Sequence, residues 1–121
     1  MQGVGLDMIE VSRIKKSIKR VGFLKHIFGE LEKEQLSKKK FNAESVAGNF
    51  CAKEAFSKSI GTGIRGFSFR DVQVLRDDLG KPFLVLSGEA QRIAKKNKYE
   101  FSVSITHTKN IASAVVICYK K

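Results

Sequence analysis

The chain has 121 residues, enough for one domain with a modest core, and its 42% hydrophobic and 29% charged content is that of a globular protein, not a disordered one. No apolar run reaches the roughly 20 residues of a membrane span, and MQGVGLDMIE lacks the basic-then-apolar order of a secretory leader, so a cytoplasmic protein with no membrane partner is expected. The formal net charge of +11 asks for an anionic partner, whether nucleic acid, membrane surface, phosphorylated small molecule or acidic protein, and does not choose among them.

In chain order, residues 2–7 alternate, with Val4 and Leu6 among Gly3, Gly5 and Asp7, which predicts a short strand with close backbone approaches that ends on a carboxylate. From Ile9 to Val21 the period becomes helical, with Ile14, Ile18 and Val21 inward and Arg13, Lys16 and Arg20 sharing another face. Phe23 follows as an apolar anchor beside that basic stripe, the combination expected of a surface that steers and docks an acidic partner. Gly29 then caps a helix whose Glu30 and Glu32 suit the positive end of the dipole, and Lys38-Lys39-Lys40 closes it.

The stretch Glu44–Gly63 predicts the central helix, stopped by Gly61. One face carries Gly48, Ala52, Ala55, Phe56 and Ser59, small enough to let a neighbour approach closely. The other carries Asn49, Lys53, Glu54, Ser57 and Lys58, interrupted by Ala47 and Phe50. Taken alone, Glu54 and Lys58 form an ordinary exposed i,i+4 pair. After Gly63 the period is two: a strand region over Phe67–Leu75 with an irregularity near Asp71, a turn at Asp77–Pro82, and a partner strand over Phe83–Leu86. A short helix from Ser87 to Asn97 precedes a half-buried strand ending at Thr106-His107-Thr108. The last strand, Ile111–Tyr119, is apolar on both faces and expected to be covered on both. Helices and hairpins are segregated, so the fold class is α+β, a largely antiparallel sheet packed with a long central helix, in a single domain over 1–121.

No nucleophile elbow, Walker loop or zinc spacing is present, and Cys51 and Cys118 read as free buried thiols of a reducing compartment. What remains for chemistry is Asp7 at a strand end, Glu54 on a helix with Lys58 one turn on, the glycines that follow, and His107 at another strand end. Two carboxylates from separate elements can hold one Mg²⁺, and a lysine with glycine-rich backbone can hold phosphates beside it. No RNP-type motif interleaves the aromatic and basic residues, so a nucleic-acid partner has no support beyond charge. A non-catalytic basic nucleic-acid-binding module is the competing reading.

The order Gly3-Val4-Gly5-Leu6-Asp7, Lys53-Glu54-Ala55-Phe56-Ser57-Lys58, Gly61-Thr62-Gly63, Gly80-Lys81-Pro82 and Ser104-Ile105-Thr106-His107-Thr108 resembles the holo-acyl-carrier-protein synthases, the small bacterial 4′-phosphopantetheinyl transferases, almost end to end. The resemblance implies transfer of the phosphopantetheine arm of coenzyme A to a serine of apo-acyl carrier protein, with release of adenosine 3′,5′-bisphosphate, in fatty acid biosynthesis. It implies Asp7 and Glu54 as Mg²⁺ ligands and Asp7, Glu54 and Lys58 as the catalytic set, with Glu54 preferred as proton acceptor. Lys58, Gly61, Gly63, Lys81, Pro82, His107 and Thr108 would line the coenzyme A pocket, and Arg13, Lys16, Arg20 and Phe23 would dock the acidic carrier. It also implies a homotrimer with active sites between subunits. The chain departs from that pattern where Asn49 replaces an arginine, Cys51 an alanine and Gly29 a threonine. The loss of charge at 49 puts a phosphate or ion-pair role there in doubt.

Overall fold

A computed structural model describes residues 2–61 and 66–121. Strand β1 (Gly3–Glu10) leads into helices α1 (Val11–Ile18), α2 (Phe23–Ile27), α3 (Glu30–Lys38) and α4 (Ala43–Ser59). A 3₁₀ turn at Phe69–Asp71 opens the hairpin of β2 (Val72–Arg76) and β3 (Pro82–Leu86), followed by α5 (Gly88–Asn97), β4 (Tyr99–His107) and β5 (Ile111–Lys120). The α+β class is as expected, with all pairings antiparallel, but the strands form two sheets, β1-β5-β4 and β2-β3, in place of one.

Helix α4 lies across the inner face of the three-stranded sheet because both surfaces are built from small residues. Alternation places Gly3 and Gly5 of β1 inward, where an added Cβ would strike the carbonyl oxygens of Ser59 and Ala55. The neighbouring inner positions of β5 are Ala112, Ala114, Val116 and Cys118, all buried. On the helix, Gly48 leaves room for Ile105 of β4, whose Cγ2 would lie 2.8 Å from a Cβ at that position. The small-residue face read from the sequence is thus the helix–sheet contact.

Three expectations fail for tertiary reasons. The first helix starts at Val11 and ends at Ile18, since Ile9 and Glu10 are held in the β1–β5 ladder opposite Ala112 and Ile111. Val21, expected inward, is 105% exposed in the turn before Gly22, whose φ of 86° reverses the chain. β5 is covered on its inner face only. Its outer Ile117 and Val115 are half-exposed and stand opposite Val4 and Leu6 of β1, and Leu6 and Met8 are 62% and 66% exposed. No helix of the described residues is long and apolar enough to cross a membrane.

Candidate active site

The β1 ladder fixes Asp7 opposite Ala114, on the inner face with Gly3 and Gly5, so its side chain meets α4. Ser113 Oγ donates to the Asp7 carbonyl at 2.9 Å. Glu54 precedes the residue that rests on Gly5, which brings the second carboxylate to the same place. Lys58 Nζ donates to Asp7 Oδ1 at 3.3 Å and to the Leu6 carbonyl at 3.1 Å. The lysine therefore pairs with the strand carboxylate and not with Glu54 one turn earlier.

Glu54 makes no ion pair among the described residues. Burial, and after it the Asp7 carboxylate, push its pKa above the ordinary carboxylate value, against the pull of Lys58. Burial and then Asp7 likewise push the Cys51 thiol up to about 12, so Cys51 is inert packing whose Sγ rests 3.5 Å from the Ala112 carbonyl oxygen. Two like charges with one lysine paired to Asp7 alone are a donor set suited to Mg²⁺, which accepts one or two carboxylates and keeps water or phosphate oxygens for its other positions. No group of three or more metal-capable side chains exists among the described residues, so a chelating all-protein site is not the arrangement.

The carboxylates stand at one end of a cleft of about 310 Å³ that also takes in Arg13, Arg20, Phe23 and Phe50. Arg20 lies 5.9 Å from the Phe23 ring centroid, and Phe23 meets Phe28 edge-on at 6.0 Å. Three of the four expected docking residues thus share a cleft with Asp7 and Glu54. Lys16 is exposed on α1 and does not line it.

The expected coenzyme A residues are divided. Gly61 follows the last turn of α4 with φ 77°, beside Lys58, and Gly63 lies outside the described residues. Lys81 and Pro82 sit at the β2–β3 turn, where the Asp77 N–H donates to the Lys81 carbonyl at 3.0 Å. His107 ends β4, its Nδ1 3.2 Å from the Thr108 carbonyl oxygen, and Thr108 Oγ1 accepts the Asn110 and Ile111 N–H groups. Along α4, Phe56 packs on Phe101 and Gly48 on Ile105, so the two elements run in opposite directions. His107 lies about 7 Å beyond Ile105 along the strand, while Glu54 lies about 9 Å the other way from Gly48 along the helix. Within one chain Lys81, Pro82, His107 and Thr108 line no cleft with Asp7 and Glu54, and Gly61 alone of the set described lies at that end of α4, beside Lys58.

Three of the five residues of the expected polar stripe are not at the site at all. Asn49, Lys53 and Ser57 are buried. Lys53 Nζ donates to Glu32 Oε1 at 2.7 Å and to the carbonyls of Phe69 and Val72, and Glu32 Oε2 accepts from Asn49 and from the Val74 N–H. Glu32 is therefore the partner of a buried lysine, beyond any service to the helix dipole. Burial raises the pKa of Glu32 and lowers that of Lys53, and each charge resists the shift of the other. At Gly29, Gln73 Oε1 of β2 accepts the Glu32 N–H at 3.0 Å in place of a cap side chain, and a Cβ on Gly29 would strike Gln73. Gln73 and Arg76 carried no sequence signal, because an alternating strand assigns a face but not a partner across the domain.

The class this defines is an α+β protein with a basic-rimmed site suited to a divalent cation and a phosphorylated substrate. The family profile of the 4′-phosphopantetheinyl transferase superfamily matches residues 3–116. A holo-[acyl-carrier-protein] synthase of Caldanaerobacter subterraneus subsp. tengcongensis is 49% identical over 116 residues, 94% of this chain and 91% of that one. The synthase of Fusobacterium nucleatum subsp. nucleatum is 44% identical over 117 residues, 95% and 96% of the two chains. A crystal structure of a holo-(acyl-carrier-protein) synthase from Bacillus anthracis str. Ames, in complex with CoA (3′,5′-ADP), matches with a TM-score of 0.84 at 36% identity, over 99% of this chain and 97% of that one. The chain belongs to the 4′-phosphopantetheinyl transferase superfamily.

Proposed function

We propose that the whole chain is one transferase domain that moves the 4′-phosphopantetheine group of coenzyme A onto a serine hydroxyl of an apo-acyl carrier protein, and so serves fatty acid biosynthesis in the cytoplasm; the family description, the relatives' name of holo-[acyl-carrier-protein] synthase and the coenzyme A in a relative's crystal structure support this. The observation that carries this reading is the single cleft holding Asp7 and Glu54 together with Arg13, Arg20 and Phe23. Reactive carboxylates and a basic, aromatic docking surface share one opening, as transfer between a phosphorylated donor and an acidic protein requires.

In the reaction the serine oxygen bonds to the phosphorus that carries pantetheine. The bond from that phosphorus to the oxygen of the second phosphate breaks, and adenosine 3′,5′-bisphosphate leaves with the electron pair. The serine proton passes to Glu54, directly or through a water, since its carboxylate faces the cleft and makes no ion pair among the described residues. Lys58, already bonded to Asp7 and Leu6, keeps a third N–H for a pyrophosphate oxygen. Asp7 and Glu54 would hold Mg²⁺, which when bound supplies charge neutralisation at the pyrophosphate. The phosphopantetheine arm comes off the donor only when the serine is aligned with it, and the contacts of Arg13, Arg20 and Phe23 provide that alignment.

Lys81, Pro82, His107 and Thr108 complete the coenzyme A pocket from a second copy of the chain. Support for this comes from their separation from Glu54 within one copy and from the exposed apolar row Val4, Leu6 and Met8 on the sheet, which a homotrimer would cover. Incubation of the protein with apo carrier, coenzyme A and Mg²⁺, followed by intact-mass measurement of the carrier, tests the proposal. A gain of one phosphopantetheine group is expected, and an unmodified carrier across several acidic carriers would refute it. Equilibrium sedimentation tests the assembly: three copies are expected, and a monomer would remove the shared pocket.

A further inference from the structure

On the far side of α4 from Glu54 is a second cleft, of about 320 Å³, between the end of α3, the start of α4 and the β2–β3 turn. Asn49 and Glu54 are five residues apart, about 140° around the helix, so the two clefts face away from each other. Lys38, Lys39, Asn49 and Arg76 line this one, with Gly80 at its edge. Asp77 and Asp78 also line it, but Asp77 Oδ1 is taken by the N–H groups of Leu79 and Lys81.

Arg76 is held from two sides. Gln35 of α3 clamps its main chain, accepting from its N–H at 2.9 Å and donating to its carbonyl at 2.8 Å. Asn49 of α4 holds its side chain, with Arg76 Nη1 donating to Asn49 Oδ1 at 2.6 Å. The Asn49 amide in turn donates to Glu32 Oε2 and the Val74 carbonyl, both at 3.2 Å, which fixes which end of Asn49 faces the guanidinium. Arg76 makes no ion pair with any carboxylate among the described residues. A part-buried guanidinium with a fixed head, donors to spare and two lysines beside it is a receptor for an oxyanion.

We propose that Arg76, oriented by Asn49, binds a phosphate of coenzyme A in this cleft, so that the charge missing at position 49 is supplied from strand β2. Arg76 is the binding residue and Asn49 its positioning residue. The inference rests on coenzyme A being the substrate, and it explains a departure that the family resemblance left open. An arginine at position 49 would reach this cleft from α4; with asparagine there, the cation comes from across the cleft and the helix residue becomes its holder. Since the pyrophosphate belongs with Lys58 at the other cleft, the phosphate left for Arg76 is the 3′-phosphate, carried by a coenzyme A that lies between two copies of the chain.

The Arg76→Gln variant is expected to lower the affinity for adenosine 3′,5′-bisphosphate about tenfold or more by calorimetry, and to raise KM for coenzyme A by a like factor while kcat is kept. With the 3′-phosphate as the bound group, the KM penalty disappears with dephospho-coenzyme A, and a penalty that persists overturns the assignment. Adding Asn49→Arg to Arg76→Gln is expected to restore binding, a rescue that a purely structural arginine would not show. Unchanged affinity in Arg76→Gln, or no rescue in the double variant, overturns the proposal. Should the variants not fold, the Arg76 Nε–H resonance of the unsubstituted protein decides: it shifts on saturation with adenosine 3′,5′-bisphosphate, and a resonance that stays in place overturns the proposal. These binding readouts do not need turnover. Failure of the unsubstituted protein to modify any carrier would end the transferase reading and leave them standing.

Discussion

Lys53 and Glu54 are neighbours on α4 and carry opposite charges, yet the fold treats them in opposite ways. Lys53 is fully buried, and its three N–H groups go to one carboxylate and two carbonyls. Glu54, one residue on and about 100° around the helix, faces an open cleft with a like charge beside it and no ion pair of its own among the described residues. A charge whose partners are complete holds structure together, whereas a charge left short of partners is available to a substrate or a cation. The helix thus separates stability from chemistry by one step of its own rotation.

Substitutions should separate those two roles. Lys53→Met leaves the Glu32 carboxylate buried without its cation, and is expected to cost about 3–5 kcal/mol in urea unfolding. Adding Glu32→Leu should recover a large part of that, since the unpaired charge and not the lost pair is what costs stability. The sign of the pH effect follows. Glu32 already has a raised folded pKa, and loss of Lys53 raises it further, so the Lys53→Met deficit should shrink as pH falls toward 4.5 and grow as pH rises through the folded value. A deficit independent of pH would place the damage elsewhere. Glu54→Ala should do the reverse: transfer falls by about 10²–10⁴, while unfolding free energy stays within about 0.5 kcal/mol.

Smaller effects are expected toward the edges of each region. Arg13→Glu should raise KM for the carrier by about tenfold and leave coenzyme A affinity unchanged, and equal loss of both would remove Arg13 from the docking surface. Gln73→Ala removes the acceptor that caps α3, and is expected to cost about 1 kcal/mol of stability with no change in kcat. Cys51 should be the quietest. With its pKa pushed up to about 12, only about one molecule in 10⁴ carries a thiolate at pH 8, so alkylation of the folded protein should be negligible and should become fast on unfolding.

The elements that could be read from the chain are those where local pattern and tertiary contact agree. The glycine and alanine face of α4, the hairpin around Gly80-Lys81-Pro82, the irregularity at Asp71 and the alternation of β4 all stand where their periods put them. The first helix misled at both ends. Ile9 and Glu10 fit a helical period but gain more from pairing with β5, and Val21 keeps the inward period after the helix has already ended at Ile18. Period alone cannot see a ladder partner that lies a hundred residues further along the chain.

At the site, the sequence named Asp7, Glu54 and Lys58, and the family order made the chemistry readable, because a metal and a pyrophosphate leave few choices of side chain. It also placed Asn49 and Lys53 on the same open stripe, since helical phase tells which residues point together and not what they point at. Only the tertiary structure decided that. The approach of α3 and β2 closed one side of the helix over Asn49 and Lys53, and Glu32, Gln73 and Arg76 became their partners, or the partners of their neighbours. Desolvation is a property of what lies across the gap, and no spacing within one segment carries it. The side where β1 supplies Asp7 instead of a cover stayed open, and there the chain keeps its chemistry.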